Sequence, residues 1–465
     1  MSSEQQLLRV LTKRHTYMLI VGNVIGIGIF TTPGYIARYV SDPAILIFVW
    51  IVGGFLSFCG GITYAELSTR YPFAGGDFHY LSHAFHPLLG FLFGWSTLFV
   101  TYTGSIAVIA MGFSYYFLNF FHTELSQFVF SVPYIRLSIN GAKIIAISIC
   151  FIFSYMNVRG IKTSVSWQYL LTILSILVLL VYIFVGFSSP RGHWHHLIAI
   201  SSSLWSLDTI KKAGVALIGV YFTYSGWTVL AYIAGEIKDY QRNIPRVTWW
   251  GVGTVTVLYV AMNILYLYGI PLHQMVDVID VSYKVLLVLG GQNITFLFTF
   301  MILIAALSTL NATVLSGARI TYAMSQERQF FSAFSVLHSS HRTPARAIWL
   351  QFFWTVLLIL SGTFNQLLTY TVFIMVSFGF LSGLSLFRLR AIEVDRTDHY
   401  WAWGYPFTPL LYLLMTFWIM ANTFLDQTKE TFLGVLVVGV GIPFYFYFRK
   451  TRNRYQLKRN DSDRK

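Results

Sequence analysis

The sequence predicts an all-α membrane protein with twelve transmembrane helices. Of its 465 residues, 56% are hydrophobic and only 11% are charged, whereas soluble chains carry about 25% charged residues. Stretches without charge recur along the chain, and many reach the length of about 20 residues that a helix needs to cross a bilayer. This composition argues against a soluble enzyme, and it excludes a disordered chain or a disulfide scaffold.

The predicted spans follow these stretches. The short stretch 142–158 is included although it contains Lys143 near its start. The stretch 347–387 is too long for one helix, and a polar turn at 361–366 divides it into two spans. In chain order the stretches are 16–37, 44–65, 88–123, 142–158, 163–190, 213–235, 247–276, 285–318, 347–387, 402–425 and 431–448.

The basic residues predict the orientation. The net charge is +14, and 24 of the 32 Lys and Arg residues fall on one set of loops and tails. Because cytoplasmic loops are enriched in Lys and Arg, both termini are expected in the cytoplasm, as a 1–15 tail and a basic 449–465 tail. The first span is too long for a cleavable signal peptide. Contact with membrane lipid is expected and nucleic-acid binding is not, because topology accounts for the basic excess.

Two spans contain residues that interrupt a helix. Span one has Gly26 and Gly28, each of which weakens a helix by roughly 1 kcal/mol relative to alanine, and then Pro33. Span six, which also begins a half of the chain, has Ser225-Gly226. A G-x-x-x-G packing motif is the alternative for span one. Paired interruptions in two halves, however, favour a binding site.

Two such interruptions facing each other predict a site for a zwitterion. Lipid cannot satisfy the N–H and C=O groups of unwound backbone. The helix N-terminus after a break carries partial positive charge and suits a carboxylate, and the carbonyls before a break suit an ammonium group or a cation. No acidic or basic side chain lies beside either break. The sequence therefore favours a zwitterion without a charged side chain over a substrate that carries one.

Ordered motifs surround the breaks and extend the argument over most of the chain. They are Ile25-Gly26-Ile27-Gly28-Ile29-Phe30, Tyr64-Ala65-Glu66-Leu67-Ser68 with Gly75-Gly76-Asp77, Phe222-Thr223-Tyr224-Ser225-Gly226-Trp227, Gly317-Ala318-Arg319 and Tyr405-Pro406. Together they resemble the amino acid–polyamine–organocation superfamily, in particular its amino acid permeases and L-type amino acid exchangers. The resemblance implies a LeuT-like 5+5 inverted repeat with broken helices 1 and 6. Its first repeat is expected at 16–187, its second at 188–390, and two appended spans at 391–448.

The resemblance also implies which residues bind an α-amino acid. The backbone around Gly26, Ile27 and Gly28 is expected to take the substrate carboxylate. Carbonyls near Ile25 and in the second break are expected to take the ammonium group. The second-break residues are Phe222, Thr223, Ser225 and Gly226, of which Phe222 matches the aromatic gate of the family; ordinary aromatic packing is the alternative for Phe222.

The chain departs from the family pattern at the position expected to govern coupling. Many members carry Lys in span five, where this chain has Ser175. Ser308 and Thr309 in span eight are hydroxyls that could join Ser175 at a sodium site. A hydroxyl bonded to its own i−4 carbonyl is the alternative for both. The coupling ion, H+ or Na+, therefore stays open, and no organic cofactor or resident metal is expected.

The positions of the two cysteines indicate whether a disulfide-linked partner subunit is expected. Cys59 and Cys150 both fall inside predicted spans, where small apolar packing residues are the expected reading. Exchangers of the family that pair with a glycoprotein subunit have a Cys after span three, and the loop 117–141 has none. A disulfide-linked heavy subunit is not expected.

The sequence as a whole predicts a secondary active transporter of amino acids in the plasma (inner) membrane, working by alternating access, and not an enzyme. No P-loop occurs that could power an ATPase. A polyamine or organic-cation carrier is one alternative, and it calls for a buried carboxylate or an aromatic cage. A membrane amino acid sensor is the other, although both tails are short for a signalling domain.

Two polar clusters have both a functional and a structural interpretation. The histidines of 193–196 could bind a metal or anchor an external loop at the membrane surface. Glu66 and Glu236, at the cytoplasmic ends of spans two and six, could relay protons or form ion pairs with Arg70 and Lys238. The sequence favours the loop anchor and the ion pairs.

Overall fold

A computed structural model describes residues 9, 11–73, 75–121, 129–132, 137–159, 164–198, 206–338, 343–393 and 399–462. Most of the predicted 1–15 tail, residues 463–465 of the basic tail and part of the loop 117–141 lie outside the described residues.

Sixteen helices and one short hairpin make up the described part of the chain. The helices are α1 (Lys13–Val24), α2 (Gly28–Ala37), α3 (Pro43–Arg70), α4 (Asp77–Ala84), α5 (Pro87–Ser96), α6 (Tyr102–Phe121), α7 (Gly141–Arg159), α8 (Ser164–Phe187), α9 (Leu207–Tyr224), α10 (Val229–Ile233), α11 (Tyr240–Gly269), α12 (Val281–Gln326), α13 (Ala345–Ser361), α14 (Phe364–Ile392), α15 (Phe407–Asp426) and α16 (Thr428–Ser462).

The helices agree with the predicted spans. Within the described residues, ten helical segments are long and apolar enough to cross a membrane. Two shorter apolar segments, Thr172–Phe187 and Ala345–Ser361, bring the total to the twelve that were predicted. The turn predicted at 361–366 is confirmed, because α13 ends at Ser361 and α14 begins at Phe364. The predicted tail at 449–465 continues α16 as helix to Ser462 rather than starting a separate segment.

Local sequence explains where several helices begin. Asp42 caps α3 by accepting a hydrogen bond from the N–H of Ala44, and Pro43 fills the first helical position, where no N–H is needed. Thr363 caps α14, and its partner Gln366 completes a capping box. These caps satisfy N–H groups at the ends of helices that otherwise consist largely of apolar residues.

Both predicted interruptions are present. Span one stops at Val24 and resumes at Gly28, so that α1 and α2 are separate half-helices. Span six stops at Tyr224, passes through a 3₁₀ turn over Ser225–Thr228, and resumes as the short helix α10. The broken helices 1 and 6 of the predicted fold are therefore confirmed, while the inverted repeat itself remains a prediction.

The predicted all-α class is confirmed, and one pair of short strands accompanies the helices in the described part of the chain. Strands β1 (Val129–Val132) and β2 (Leu137–Asn140) pair antiparallel between α6 and α7. Alternating apolar and polar residues in Leu137–Asn140 are typical of a strand, and this connection lies outside the long apolar runs on which the span prediction rests.

A buried ion-pair network ties the ends of α3 and α14 together. We call this end of the bundle, which the charge bias assigns to the cytoplasm, the inner end. Glu66 accepts two hydrogen bonds from Arg390, at 2.8 and 2.5 Å, and one from the N–H of Ala402 at 2.7 Å. Its carboxylate also lies 3.7 Å from Arg70, which confirms one predicted ion pair. Arg390, the partner with two hydrogen bonds, was not predicted, because it lies 324 residues away along the chain.

Candidate functional site

A cavity of about 690 Å³ opens at the two helix breaks. It extends from the breaks to the inner end, where Glu236, Arg319 and Glu327 line it. Seven of the eight residues predicted to bind substrate line its walls, and Ile25 is the exception. The seven are Gly26, Ile27, Gly28, Phe222, Thr223, Ser225 and Gly226.

The two breaks cross in direct backbone contact. A Cβ atom added to Gly226 would lie 2.3 Å from the carbonyl carbon and oxygen of Asn23. A Cβ atom added to Gly28 would lie 3.2 Å from the Cα atom of Thr223. Glycine is therefore required at Gly226 by the approach of the other chain segment, not by a turn conformation.

The first break leaves hydrogen-bond donors free. The N–H of Gly26 bonds to the carbonyl of Val24 at 2.9 Å. Among the described residues, none accepts a hydrogen bond from the N–H of Ile27 or of Gly28. These two groups stand at the N-terminus of α2, where the helix dipole adds partial positive charge. The arrangement suits a carboxylate and needs no charged side chain.

The carbonyls of the second break are partly occupied. The Phe222 carbonyl accepts from both the N–H and the hydroxyl of Ser225, and the Ser225 carbonyl accepts from Thr228. A carbonyl oxygen has two lone pairs. The Ser225 carbonyl also begins the 3₁₀ turn and accepts the backbone bond of that turn. Thr223, whose carbonyl has only the 3.4 Å contact with Tyr259 among the described residues, therefore retains more acceptor capacity for an ammonium group than Phe222 or Ser225 does.

Tyr259 of α11 connects the two breaks. Its buried hydroxyl donates to the carbonyl of Val24 at 2.7 Å and lies 3.4 Å from the carbonyl of Thr223. One side chain thus orients the carbonyl ends of both interrupted helices. Tyr259 carries no distinguishing signal in the sequence, because a tyrosine in an apolar span resembles many others in a chain that is 18% aromatic.

Of the three residues predicted for ion coupling, one lines the cavity. Thr309 lines the cavity beside Gly26, with its hydroxyl 2.9 Å from the place of an added Cβ. That hydroxyl donates to the i−4 carbonyl of Ala305, the alternative considered for it. Ser175 and Ser308 are buried but do not line the cavity. The sodium site stays a prediction.

Asp77 is the site residue that the span analysis missed. It begins α4, in the connection between spans two and three, yet it is only 2% exposed and lines the cavity. Burial raises the pKa of this carboxyl group, and hydrogen bonds from Ser382, Tyr64 and Tyr232 partly counter that rise. The Gly75-Gly76-Asp77 motif was the available signal, but it was used only for resemblance.

Polar contacts hold α2 at the end of the bundle opposite the inner end. The Tyr116 and Tyr266 hydroxyls donate to the carbonyls of Phe30 and Ile29. Arg38 lies 3.7 Å from the carboxylate of Asp277 in the connection before α12. These contacts join α2 to α6, α11 and the connection that precedes α12.

The remaining polar clusters have structural surroundings. His196 lies against the end of α11, with its Nδ1 atom 3.1 Å from the Leu267 carbonyl, and desolvation lowers its pKa. Among the described residues, no group of three or more His, Cys, Asp or Glu side chains is placed to hold a metal ion. Glu236 forms no ion pair with Lys238 in the described part of the chain, contrary to the prediction, and instead lines the cavity.

These features define a class. A bundle of apolar helices that encloses a polar backbone site at two helix interruptions is the architecture of a membrane transport protein. The sequence model of the amino acid permease family matches residues 11–442. The chain belongs to this family, and it is a multi-pass membrane transporter, not an enzyme.

Curated relatives resemble the chain over nearly all its length. The serine/threonine exchanger SteT of Bacillus subtilis (strain 168) is 26% identical over 437 residues, which cover 93% of this chain and 95% of the relative. The human Asc-type amino acid transporter 1 is 26% identical over 92% of this chain and 80% of its own length. The human large neutral amino acids transporter small subunit 2 is 26% identical over 92% and 78%, respectively.

Proposed function

We propose that this protein is a secondary active transporter that carries neutral amino acids by alternating access. The free N–H groups of Ile27 and Gly28 carry the proposal, because they offer an α-carboxylate two hydrogen bonds at a helix N-terminus. The relatives named as amino acid exchangers and transporters support the substrate class.

The substrate ammonium group binds the opposite break in this proposal. Thr223 and Ser225 line the same cavity as Ile27 and Gly28, and the Thr223 carbonyl is the acceptor with more remaining capacity. A zwitterion placed between the breaks therefore pairs each of its charges with backbone dipoles. Phe222, half-buried in the wall, covers the bound amino acid as the gate.

The proposed topology follows from the charge bias and the cavity. Both termini lie in the cytoplasm, the protein sits in the plasma (inner) membrane, and the cavity opens to the cytoplasmic side. The halves 16–187 and 188–390 form the inverted repeat that moves around the site. Na+ or H+ is the candidate coupling ion. Since Cys59 and Cys150 are both buried, the transporter works without a disulfide-linked subunit.

Exchange in proteoliposomes tests this function. The purified chain is reconstituted, loaded with one unlabelled neutral amino acid, and supplied with radiolabelled L-serine, L-alanine or L-leucine outside. The same vesicles are run with an inward Na+ gradient or pH gradient in place of internal substrate. Saturable uptake under at least one driving condition is expected. Saturable binding without uptake under all of them would refute transport and favour the amino acid sensor.

A further inference from the structure

The cavity contains one deeply buried acidic side chain close to the second break. The Asp77 carboxylate accepts hydrogen bonds from Tyr64 at 2.5 Å and from Tyr232 at 2.9 Å. Tyr64 packs edge-on against Trp227 of the second break, with ring centroids 5.1 Å apart, and Tyr232 follows on α10. The carboxylate is therefore held between α3 and the half-helix that begins after the break.

This carboxylate has no cationic counterpart. Among the described residues, no Lys, Arg or His forms an ion pair with Asp77. Its surroundings are phenolic: the Tyr64, Tyr102, Tyr221 and Tyr232 side chains line the same cavity. A buried charge without a counter-charge acts on whatever enters, because the low dielectric of the interior weakens screening.

The other charged residues that line the cavity also carry a net negative charge. Glu236 is half-buried, and Glu327 and Arg319 are exposed near the inner end. With Asp77, three carboxylates and one guanidinium line the cavity, in addition to His79. The cavity is therefore electronegative within a chain whose net charge is +14, and walls of one sign focus the field inside a cleft.

We propose that Asp77 sets the charge selectivity of this cavity, rejecting amino acids with anionic side chains and admitting those with an additional ammonium group. The proposal rests on the amino acid transport proposed above and names a wider substrate class for it: neutral and dibasic amino acids, but not dicarboxylic ones.

The tyrosines leave Asp77 able to act on a cation. Besides Tyr64 and Tyr232, Ser382 and the backbone N–H of Asp77 also interact with this carboxylate, so its effect on a cation is exerted through its field. Selectivity does not require contact with Asp77, since a side-chain charge in the cavity experiences its field through protein rather than through bulk water.

Competition by matched amino acids tests the proposal. Proteoliposomes containing the full chain exchange radiolabelled L-serine, and the half-inhibitory concentrations of L-glutamate, L-glutamine and L-lysine are compared. Glutamate and glutamine have nearly the same size and differ in charge. We expect glutamate to inhibit about tenfold or more weakly than glutamine, and lysine to inhibit at least as well as glutamine.

Variants assign the effect to Asp77. In Asp77→Asn the glutamate-to-glutamine ratio is expected to fall towards one and inhibition by lysine to weaken, while Asp77→Glu restores the charge and the discrimination. Asp42→Asn is the matched control, because Asp42 is also 2% exposed but does not line the cavity. This control is expected to keep the wild-type ratios.

The outcomes separate this proposal from transport itself. Equal inhibition by glutamate and glutamine in the wild type overturns the charge filter, whether or not Asp77→Asn folds. An unchanged ratio in a folded Asp77→Asn overturns the role of Asp77. If no neutral amino acid is taken up by exchange or with a Na+ or pH gradient, it is the proposed transport function that fails.

Discussion

Gly226→Ala tests the crossing of the two breaks most directly. The added Cβ atom would lie 2.3 Å from the Asn23 carbonyl and 2.5 Å from the N atom of Val24. Ordinary Cβ contacts begin near 3.4 Å, so the two backbones must separate by about 1 Å. Because the obstacle is backbone and not a flexible side chain, we expect overpacking to destabilise the fold by roughly 1–3 kcal/mol.

The larger effect of this substitution is expected on substrate binding. A shift of about 1 Å lengthens a 2.9 Å hydrogen bond beyond useful range, so a substrate spanning both breaks loses a contact at one of them. One hydrogen bond to a charged group contributes about 1.5–3 kcal/mol, which corresponds to roughly 10–100-fold in affinity. The assay is the KM for radiolabelled L-serine exchange in proteoliposomes with matched amounts of protein.

Gly253→Ala is the control for this experiment. Gly253 lies inside α11 with no atom within 4 Å of an added Cβ, so alanine there is expected to be neutral or to stabilise the helix by about 0.5–1 kcal/mol. Wild-type KM and maximal rate in Gly226→Ala would refute the reasoning. An equal loss in both variants would show that the crossing has no special role.

Three further predictions concern other parts of the molecule. Tyr259→Phe keeps the buried ring but removes the hydroxyl that orients both breaks, so the KM for L-serine exchange should rise several-fold. In the control Tyr182→Phe, an equally buried hydroxyl loses its hydrogen bond away from the cavity, and the KM should stay unchanged. Arg390→Ala removes the bidentate partner of the buried Glu66 carboxylate and should destabilise the protein by about 3–5 kcal/mol in denaturant titrations. The control Lys212→Ala breaks an exposed ion pair and should have almost no effect. Burial raises the pKa of Asp77, so its charge is lost at a higher pH than that of an exposed aspartate. The preference for lysine over glutamine should therefore decline as pH falls through the acidic range. A preference that does not change with pH would contradict this reasoning.

Long-range apolar patterning made the spans predictable. A segment without charges that is long enough to cross a bilayer has few alternatives to a helix, because every backbone polar group must be satisfied within the segment. The interruptions were equally local: Gly26 and Gly28 weaken one helix where they stand, and Ser225-Gly226 another. The hairpin Val129–Asn140 escaped prediction because a short strand in a connection has no comparable constraint.

The candidate site was predictable only where backbone supplies it. Gly26, Ile27 and Gly28 appear in the cavity wall because the break itself creates the free N–H groups. Contributions from side chains were less visible. Tyr259 acts through its distance from two carbonyls, and Asp77 reaches the cavity from a connecting helix, so neither position carries a periodic signal along the chain.

Apolar runs and helix-breaking residues specify the class of the protein, its helical spans and the two places where helices stop, since both act locally. What those places face depends on the tertiary structure. The approach of Gly226 to Asn23, the cavity that extends from the breaks to the inner end, and the pairing of Glu66 with Arg390 join residues that are distant in the chain. Such contacts depend on how the helices pack against one another. The local sequence of a helix does not specify which other helix surface it packs against.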